Sequence, residues 1–175
     1  MGTDGLQHAL GFRFTPANAV QRVLQRSAST RAGAWVFQRT LYRVDRPLYR
    51  WSHGRLTAPG VTTGLPVIML TTTGAKSGLP RTMPVAAIPF QGDLAVVGTN
   101  FAQAKTPGWV FNLLAHPEAE VAWRDRSAAV RAERIPAEQM PELWDAAAAV
   151  YTGFPKYRER IGQSREVKAF ALRAR

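Results

Sequence analysis

The chain has 175 residues, of which 46% are apolar, and it carries a formal net charge of +11 and no cysteine. This length and apolar content suit one domain of ordinary size with a real core, and they exclude wholesale disorder. The lack of cysteine excludes disulfides, thiol catalysis and cysteine-ligated metals. The sequence has no run of about 18 apolar residues, as a membrane-spanning helix requires, and no signal-peptide pattern at its beginning.

The positive charge is concentrated in the first third of the chain. Residues 1–55 contain nine arginines and two acidic residues, a net formal charge of +7. Such a segment attracts anions and could lie on an anionic membrane surface, whereas nucleic acid is not an expected partner because basic and aromatic residues are barely interleaved. A plainer interpretation, in which scattered arginines only aid solubility, fits at least as well. The expected location is cytoplasmic, at the inner face of the cell membrane if the first interpretation holds.

Helices are predicted in this basic segment. Residues 1–14 have the composition of a loose tail. A helix is expected to start at Thr15 and Pro16, with Thr15 as its N-cap and the proline in its first turn. A second helix is expected over residues 34–51, with a break or kink at Pro47.

The remainder of the chain alternates short strands with turns and helices. β-Branched and apolar runs predict six strands, at residues 67–73, 82–90, 94–99, 119–124, 128–135 and 167–172. Helical patterns occupy residues 108–115, 136–151 and 153–161. Because hairpin turns join consecutive strands, antiparallel pairing is expected. The predicted fold class is therefore α+β, a small closed or nearly closed six-stranded antiparallel barrel with helices packed outside it.

The turn between the first two strands, within residues 73–81, is the clearest candidate site. Gly74 and Gly78 let backbone amides approach an anion closely. Lys76 supplies a point charge, and Arg81 can bind a phosphate in two-pronged fashion. The composition suits a phosphate cradle, and an ordinary basic turn between strands is also compatible with it. A Walker loop is excluded because the glycine spacing differs and a strand follows.

Three motifs in colinear order resemble the deazaflavin (F-420)-dependent nitroreductase and quinone reductase family. They are residues 70–84 (LTTTGAKSGLPRTMP), residues 96–117 (VVGTNF and PGWVFNLLAHP) and residues 151–157 (YTGFPKY). The resemblance runs from about His53 to Val167. It implies a split β-barrel of the FMN-binding type, with the reduced deazaflavin coenzyme F-420 as hydride donor and quinones or nitro compounds as acceptors.

The resemblance also implies roles for single residues. Lys76 and Arg81 would hold the phosphate of the cofactor and part of its acidic tail, which agrees with the positive charge of the turn. Tyr151 and Tyr157 would line the substrate pocket, and either hydroxyl could supply a proton. The full set of cofactor-binding residues implied in this way is Ala75, Lys76, Ser77, Arg81, Met83, Pro84, Val85, Thr99, Asn100, Gly108, Trp109 and Asn112.

Structural alternatives remain open for several of these side chains. Trp109 could belong to the core and Asn112 could cap or bridge the barrel. The tyrosines could simply dock their helix, since Tyr151, Phe154 and Tyr157 gather on one helical side.

Four positions depart from the family pattern. Phe154 stands where active nitroreductases tend to have tyrosine, and Thr106 stands where many members have histidine. Ala86 and Ala87 replace bulkier aromatics and imply a roomier pocket. These departures favour quinone-like acceptors over nitro compounds.

The predicted function is hydride transfer from reduced F-420 to a quinone-like or other electron-poor small molecule. The alternatives are an FMN-dependent split-barrel reductase and a non-enzymatic protein that binds a deazaflavin or a lipid. No metal is expected, because the three histidines are scattered without acidic partners. We divide the chain into a basic helical extension, residues 1–52, and a split-barrel cofactor-binding domain, residues 53–175, within one globular unit. A homodimer is a further expectation, because split barrels often dimerise.

Overall fold

The computed structural model describes residues 5–18, 21, 64–162 and 164–175. The helix expected over residues 34–51, the division of the chain at residue 52 and the arginines of the basic segment other than Arg13 lie outside the described residues.

Seven strands of the described chain form one antiparallel sheet. They are β1 (Val67–Thr73), β2 (Pro80–Ala86), β3 (Ile88–Phe90), β4 (Asp93–Val97), β5 (Glu118–Trp123), β6 (Arg126–Arg134) and β7 (Ala169–Ala174). Their order across the sheet is β2-β1-β5-β6-β7-β4-β3, and every neighbouring pair is antiparallel. The predicted combination of helices with an antiparallel sheet is confirmed.

The sheet curls because its two edge strands are neighbours in the chain. β2 and β3 lie at opposite ends of the strand order, yet only Ala87 separates them in sequence. The single strand expected over residues 82–90 is therefore two strands, which makes seven where six were expected. Pro84 and Pro89 cannot donate to a strand ladder. The Ala87 N–H leaves the ladder and donates to the Pro66 carbonyl at 2.8 Å, so the chain changes its pairing partner from β1 to β4 here.

The loose tail expected over residues 1–14 is wrong for its described part. Helix α1 (Leu6–Ala9) packs against the sheet, with Leu6 and Leu10 almost fully buried. The Leu6 N–H donates to Asp93 Oδ1 at 2.8 Å, and the Gln7 side-chain amide donates to the Asp93 carbonyl at 2.8 Å. A partner 87 positions away in sequence thus fixes this segment, and no local pattern could have revealed it.

The helix that was expected to start at Thr15 and Pro16 starts later in the chain. The Gln21 N–H donates to Asn18 Oδ1 at 2.8 Å, and the Asn18 N–H donates to Gln21 Oε1 at 3.0 Å. This reciprocal pair is a capping box, which satisfies two amide donors that the first turn of a helix leaves free. Gln21 is helical whereas Thr15 and Pro16 are not, so the cap is Asn18 rather than Thr15.

Three further helices are described. They are α2 (Gly108–Ala115), α3 (Met140–Val150) and α4 (Phe154–Ile161), with short 3-10 turns at Asn100–Ala102 and Ala137–Gln139. The predicted helices at 108–115 and 153–161 agree with α2 and α4, and the one at 136–151 begins with the second 3-10 turn. None of the helices in the described ranges is long and apolar enough to cross a bilayer.

Two apolar cores lie on opposite faces of the sheet. Leu94 and Val96 of β4 belong to the first core, together with residues of α1 and α2, whereas Ala95 between them belongs to the second core, together with α3 and α4. This alternation follows from the pleat, which turns successive side chains to opposite faces. The connection from β4 to α2 therefore runs between the two cores, and several predicted site residues lie on it.

Replacing Leu6 by alanine tests the place of α1 in the first core. Leu6→Ala removes a fully buried side chain, and we expect it to lower the free energy of unfolding by about 2–5 kcal/mol. Urea unfolding followed by circular dichroism measures this loss. Leu79→Ala is the matched control because Leu79 is 58% exposed, and its effect should stay within about 0.5 kcal/mol. Equal, small effects of the two changes would mean that the segment is the loose tail after all.

Candidate active site

The connection between β1 and β2, residues 74–79, forms a closed turn, here called the glycine turn. The Gly74 N–H donates to the Leu79 carbonyl at 2.9 Å, and the Gly78 N–H donates to the Gly74 carbonyl at 2.8 Å. A Cβ on Gly74 would lie 2.5 Å from Ser77 Oγ, so no larger residue fits there without a shift. Gly78 has a φ of +65°, a conformation that favours glycine. The two glycines singled out in the sequence are therefore both required by the turn.

The amide side chain of Asn112 fastens α2 to this turn. Asn112 Oδ1 accepts the Ala75 N–H at 3.0 Å, and Asn112 Nδ2 donates to Thr72 Oγ1 at 2.9 Å. Thr72 is buried, and its hydroxyl lies 3.4 Å from the Arg81 carbonyl, to which it donates. Of the roles left open for Asn112, the bridging role is the one that the geometry supports. The Ala75 amide is consequently engaged within the chain.

The two cations of the glycine turn and β2 are exposed and free of ion pairs. Lys76 lies in the turn, and Arg81 pairs with Thr72 across the β1–β2 ladder. Within the described residues neither cation lies within ion-pairing distance of a carboxylate. Ser77 is also exposed, and its hydroxyl accepts the Leu79 N–H at 3.4 Å. Lys76 of the turn and Arg81 of β2 thus present positive charge to solvent beside the hydroxyl of Ser77, and neither cation has an ion-pair partner among the described residues.

The predicted residues of β2 divide between the two faces of the strand. Met83 and Val85 are half-buried and pack against the first core, whereas Pro84 between them is exposed. Met83 pairs with Leu70, and Val85 pairs with Ile68. Since β2 is an edge strand with a mostly exposed burial pattern, it offers an open surface that begins directly after the cationic turn.

The end of β4 closely approaches α2. A Cβ on Gly98 would lie 2.8 Å from Val110 Cγ2, so glycine is needed for this contact. Thr99 is buried, and Asn100 has a φ of +47° and donates through Nδ2 to the Lys105 carbonyl at 2.8 Å. A Cβ on Gly108, at the start of α2, would meet no atom within 4 Å, so space is open there.

Arg165 is a residue of this region that the sequence reasoning missed. Its Nη2 donates to the Thr99 carbonyl at 2.9 Å, and its Nε donates to the Gln103 carbonyl at 3.1 Å. Its Nη1 is buried and has no hydrogen-bond acceptor among the described residues. Burial lowers the pKa of Arg165. No local motif marks this arginine, because its partners are backbone carbonyls more than 60 positions away.

Trp109 is buried in the first core, where it packs edge-on against Phe170 with ring centroids 6.0 Å apart. Of its two open roles, the geometry favours packing.

Three aromatic rings of the second core surround a pair of hydroxyl groups. The hydroxyls of Tyr151 and Tyr157 lie 3.3 Å apart, and Phe154 packs edge-on against both rings. All three side chains are buried. Burial, as the largest cause, raises the pKa of both phenols, so both stay neutral at physiological pH. A Cβ on Gly153 would lie 2.2 Å from the Tyr151 ring, and so this cluster also depends on a glycine.

The predicted site residues therefore fall into two groups. The first group joins the glycine turn, β2 and Asn112 through direct hydrogen bonds. The second joins residues 99–103, Arg165 and the tyrosine cluster, against which Ala102 packs. No group of three histidine or acidic side chains in the described ranges could hold a metal ion.

A curled antiparallel sheet with helices packed on its faces defines an α+β protein, and the exposed cations at one end of the sheet suit an anionic ligand. Within that class, residues 41–170 match the F420H2-dependent quinone reductase family, and the chain belongs to this family. F420H2 denotes the reduced form of coenzyme F-420. The family assignment agrees with the resemblance seen in the sequence, and it does not favour an FMN-dependent or non-enzymatic alternative.

Individual relatives agree with this assignment. The F420H2-dependent quinone reductase Rv1261c of Mycobacterium tuberculosis is 32% identical over 83 residues, which cover 46% of this chain and 54% of the relative. The chain thus spans about half the length of the curated relatives it matches. A solved structure described as an F420-H2 dependent reductase (FDR-A) is similar at a TM-score of 0.55 and 29% identity, over 61% of this chain and 93% of that chain. Another solved structure, described as a domain-swapped dimer, is similar at a TM-score of 0.58 and 26% sequence identity, over 81% of this chain and 98% of that chain.

Replacing Asn112 by alanine tests the bridge between α2 and the glycine turn. Asn112→Ala leaves the Ala75 amide and the buried Thr72 hydroxyl without their partner, which we expect to lower the free energy of unfolding by about 1–3 kcal/mol. Hydrogen exchange at the Ala75 amide should accelerate at the same time. Phe111→Ala on the same helix is the control, since Phe111 is 53% exposed. Unchanged exchange at Ala75 in Asn112→Ala would contradict the bridging role.

Proposed function

We propose that this chain is an oxidoreductase that passes a hydride from reduced coenzyme F-420 to a quinone-like or other electron-poor small molecule. The single observation that carries the proposal is the pair of exposed cations at the glycine turn and the start of β2, unpaired within the described residues, in a chain that belongs to the F420H2-dependent quinone reductase family. The split-barrel architecture of the FMN-binding type, with the curled sheet as its wall, is part of the same proposal.

The glycine turn fits the phosphate-bearing part of such a cofactor. Position 74 has no room for a Cβ and position 78 has a positive φ, so the two glycines close the turn into one fixed shape in which Lys76 and Ser77 are exposed. Lys76 and Arg81 are exposed and unpaired in the described chain, so an incoming anion displaces no ion pair. Arg81 can engage a phosphate with two parallel hydrogen bonds, and Lys76 acts as a mobile point charge that also suits the acidic tail.

The second group of residues fits the remainder of the cofactor. When bound, reduced F-420 supplies the hydride, and the protein supplies position and charge. Arg165 binds the carbonyls of Thr99 and Gln103 and so holds the segment between them in one conformation. The start of α2 at Gly108 has open space for a ligand. The buried Nη1 of Arg165 is a hydrogen-bond donor without an acceptor among the described residues, and it suits an acceptor atom of a bound molecule.

The tyrosine pair suits the handling of the acceptor. Because burial keeps both phenols neutral, each retains a proton on Oη. One hydroxyl donates to the other, which leaves the second hydroxyl hydrogen available for a carbonyl oxygen of the acceptor. Phe154 adds no third hydroxyl, and the small side chain of Ala86 packs against the same core as the tyrosine pair, whereas Ala87 is buried in the first core. This composition supports quinone-like acceptors over nitro compounds.

Assembly and location complete the proposal. A homodimer is supported by the similar structure described as a domain-swapped dimer, of which this chain covers 98%. Placement in the cytoplasm, with the basic segment on the inner face of the cell membrane, is supported by the nine arginines of residues 1–55 alone.

Charge reversal in the glycine turn tests the cofactor assignment. We expect Lys76→Glu or Arg81→Glu to weaken F-420 binding by about tenfold to a hundredfold each, because each change removes a charge-assisted contact with the phosphate. Fluorescence titration of the cofactor at fixed ionic strength measures the affinity. Arg175→Glu changes the net charge equally, three strands away from β1, and should have little effect. Equal affinities in all three variants would refute the cradle, and absence of F-420 binding and of menadione reduction in the unmodified protein would refute the function.

Removal of single hydroxyls tests the role of the tyrosine pair. Tyr151→Phe and Tyr157→Phe keep the buried rings, so cofactor affinity should change little, whereas the remaining buried hydroxyl loses a partner and the free energy of unfolding should fall by about 1–3 kcal/mol. We expect one of them to lower kcat/KM for menadione by about tenfold, the effect of one lost hydrogen bond of roughly 1.4 kcal/mol. Because the phenol pKa values are raised, deprotonation of this pair should produce no loss of activity below about pH 10. Unchanged kcat/KM in both variants would leave the tyrosines with a packing role only.

A further inference from the structure

A cavity of about 650 Å³ lies between α1 and the turn that joins β5 to β6. It is separate from the glycine turn. Thr72, beside that turn, pairs with Ala119 near the start of β5, whereas Trp123 in the cavity wall is four residues further along. At about 3.3 Å per residue this places the cavity wall some 13 Å along the strand, at its other end.

Three arginines and one aspartate line this cavity. Arg13, Arg124 and Arg126 are exposed, and in the described part of the chain none of them pairs with a carboxylate, including that of Asp125. Other arginines of the same sheet behave differently. Arg131 pairs with Glu118, Arg134 with Glu166 and Arg173 with Glu133. The cavity is therefore a place where unpaired positive charge collects.

One of these arginines, Arg126, lies against the turn that ends α1. Gly11 ends α1 with a φ of +56°, and hydrogen bonds from Gly11 N–H to the His8 carbonyl and from Phe12 N–H to the Gln7 carbonyl complete a Schellman turn. A Cβ on Gly11 would lie 3.2 Å from Arg126 Nη1, so the guanidinium of Arg126 lies directly over this turn.

Arg124 is held on the aromatic side of the cavity. Its guanidinium carbon lies 5.5 Å from the centre of the Trp123 ring, and its φ of +57° is unusual for a residue with a side chain. Trp123 packs against Phe12 with ring centroids 4.7 Å apart. The cavity thus combines a cationic rim with an aromatic wall.

We propose that this cavity, the Arg126 pocket, binds a phosphate ester that carries an apolar group. Guanidinium groups bind phosphate oxygens in two-pronged fashion, and an excess of two positive charges complements a phosphate ester. The volume lies within the range of small-molecule sites, so that the pocket holds an attached group as well as the phosphate. The aromatic pair contacts that apolar part. A phospholipid headgroup region and a soluble phosphate ester present this same chemistry.

Titration of the full chain labelled with nitrogen-15 tests the proposal. The probes are phenyl phosphate, which is a soluble phosphate ester with an apolar group, the short-chain lipid dihexanoyl-phosphatidylglycerol and, as a lipid whose zwitterionic headgroup has no net charge, dihexanoyl-phosphatidylcholine. We expect saturable shifts of the Gly11 and Arg126 amides and of the Trp123 indole N–H, weaker at high salt because exposed charges are screened. Equal affinity for both phosphate esters identifies a soluble ligand, and a clear preference for phosphatidylglycerol identifies a lipid. Shifts confined to the glycine turn, equal binding of phosphatidylcholine and phosphatidylglycerol, or no binding at all would overturn the proposal.

Paired variants locate the binding. Arg13→Gln with Arg126→Gln should lower the affinity by about tenfold or more, because two phosphate-binding forks are removed. Arg131→Gln lies on the same strand, is exposed and is paired with Glu118, so it should change the affinity by less than about twofold. Lys76→Glu should also leave this affinity unchanged, which separates the Arg126 pocket from the proposed cofactor site. An equal loss of affinity in the double variant and in Arg131→Gln would mean that only the overall charge of the protein matters, and it would refute the pocket.

Discussion

The candidate site depends above all on one amide side chain, that of Asn112. Its oxygen and nitrogen engage the Ala75 amide and the Thr72 hydroxyl at once, so that α2, β1 and the glycine turn share one geometry. A hydrophobic side chain could fill the same volume, but it could not satisfy a backbone donor and a buried hydroxyl together. Because Asn112 fastens the turn to α2, neither Lys76 nor Arg81 is needed as a hydrogen-bond donor within the turn. Lys76 and Arg81 can therefore remain exposed and unpaired without loosening the structure that carries them.

Close contacts through glycine extend this geometry to the rest of the site. Gly98 lets the end of β4 approach Val110 of α2, and Gly153, just before α4, lets the Tyr151 ring lie against the backbone there. In both places a methyl group would meet atoms at less than 3 Å. Packed interiors have little free volume to absorb such an overlap. These glycines thus position residues 99–103 and the tyrosine pair, although neither glycine can contact a ligand through a side chain.

The parts of the structure that could be predicted from sequence are those encoded locally. β-Branched runs and hairpin turns predicted the antiparallel sheet, and the glycines with nearby cations predicted the turn. The change of partner at Ala87 was missed because it depends on how β3 pairs with β4, which apolar alternation does not encode. The burial of Leu6 depends on Asp93, and the role of Arg165 depends on the carbonyls of Thr99 and Gln103, so neither has a local signal. Asn18 and Gln21 did form a readable capping box, but Thr15 with Pro16 offered a competing start.

The pairing of arginines bears on whether the charge of +11 is diffuse. On the faces of the sheet, Arg131 and Arg173 meet carboxylates, and Glu166 receives both Arg134 and Lys168. The hydrogen bond from Lys168 is the main reason why the pKa of Glu166 is lowered, so this carboxylate keeps its charge and neutralises its neighbours. The described cations left without such partners include those of the glycine turn at one end of the sheet and those of the Arg126 pocket at the other. Positive charge at these two places favours the capture of anionic ligands there.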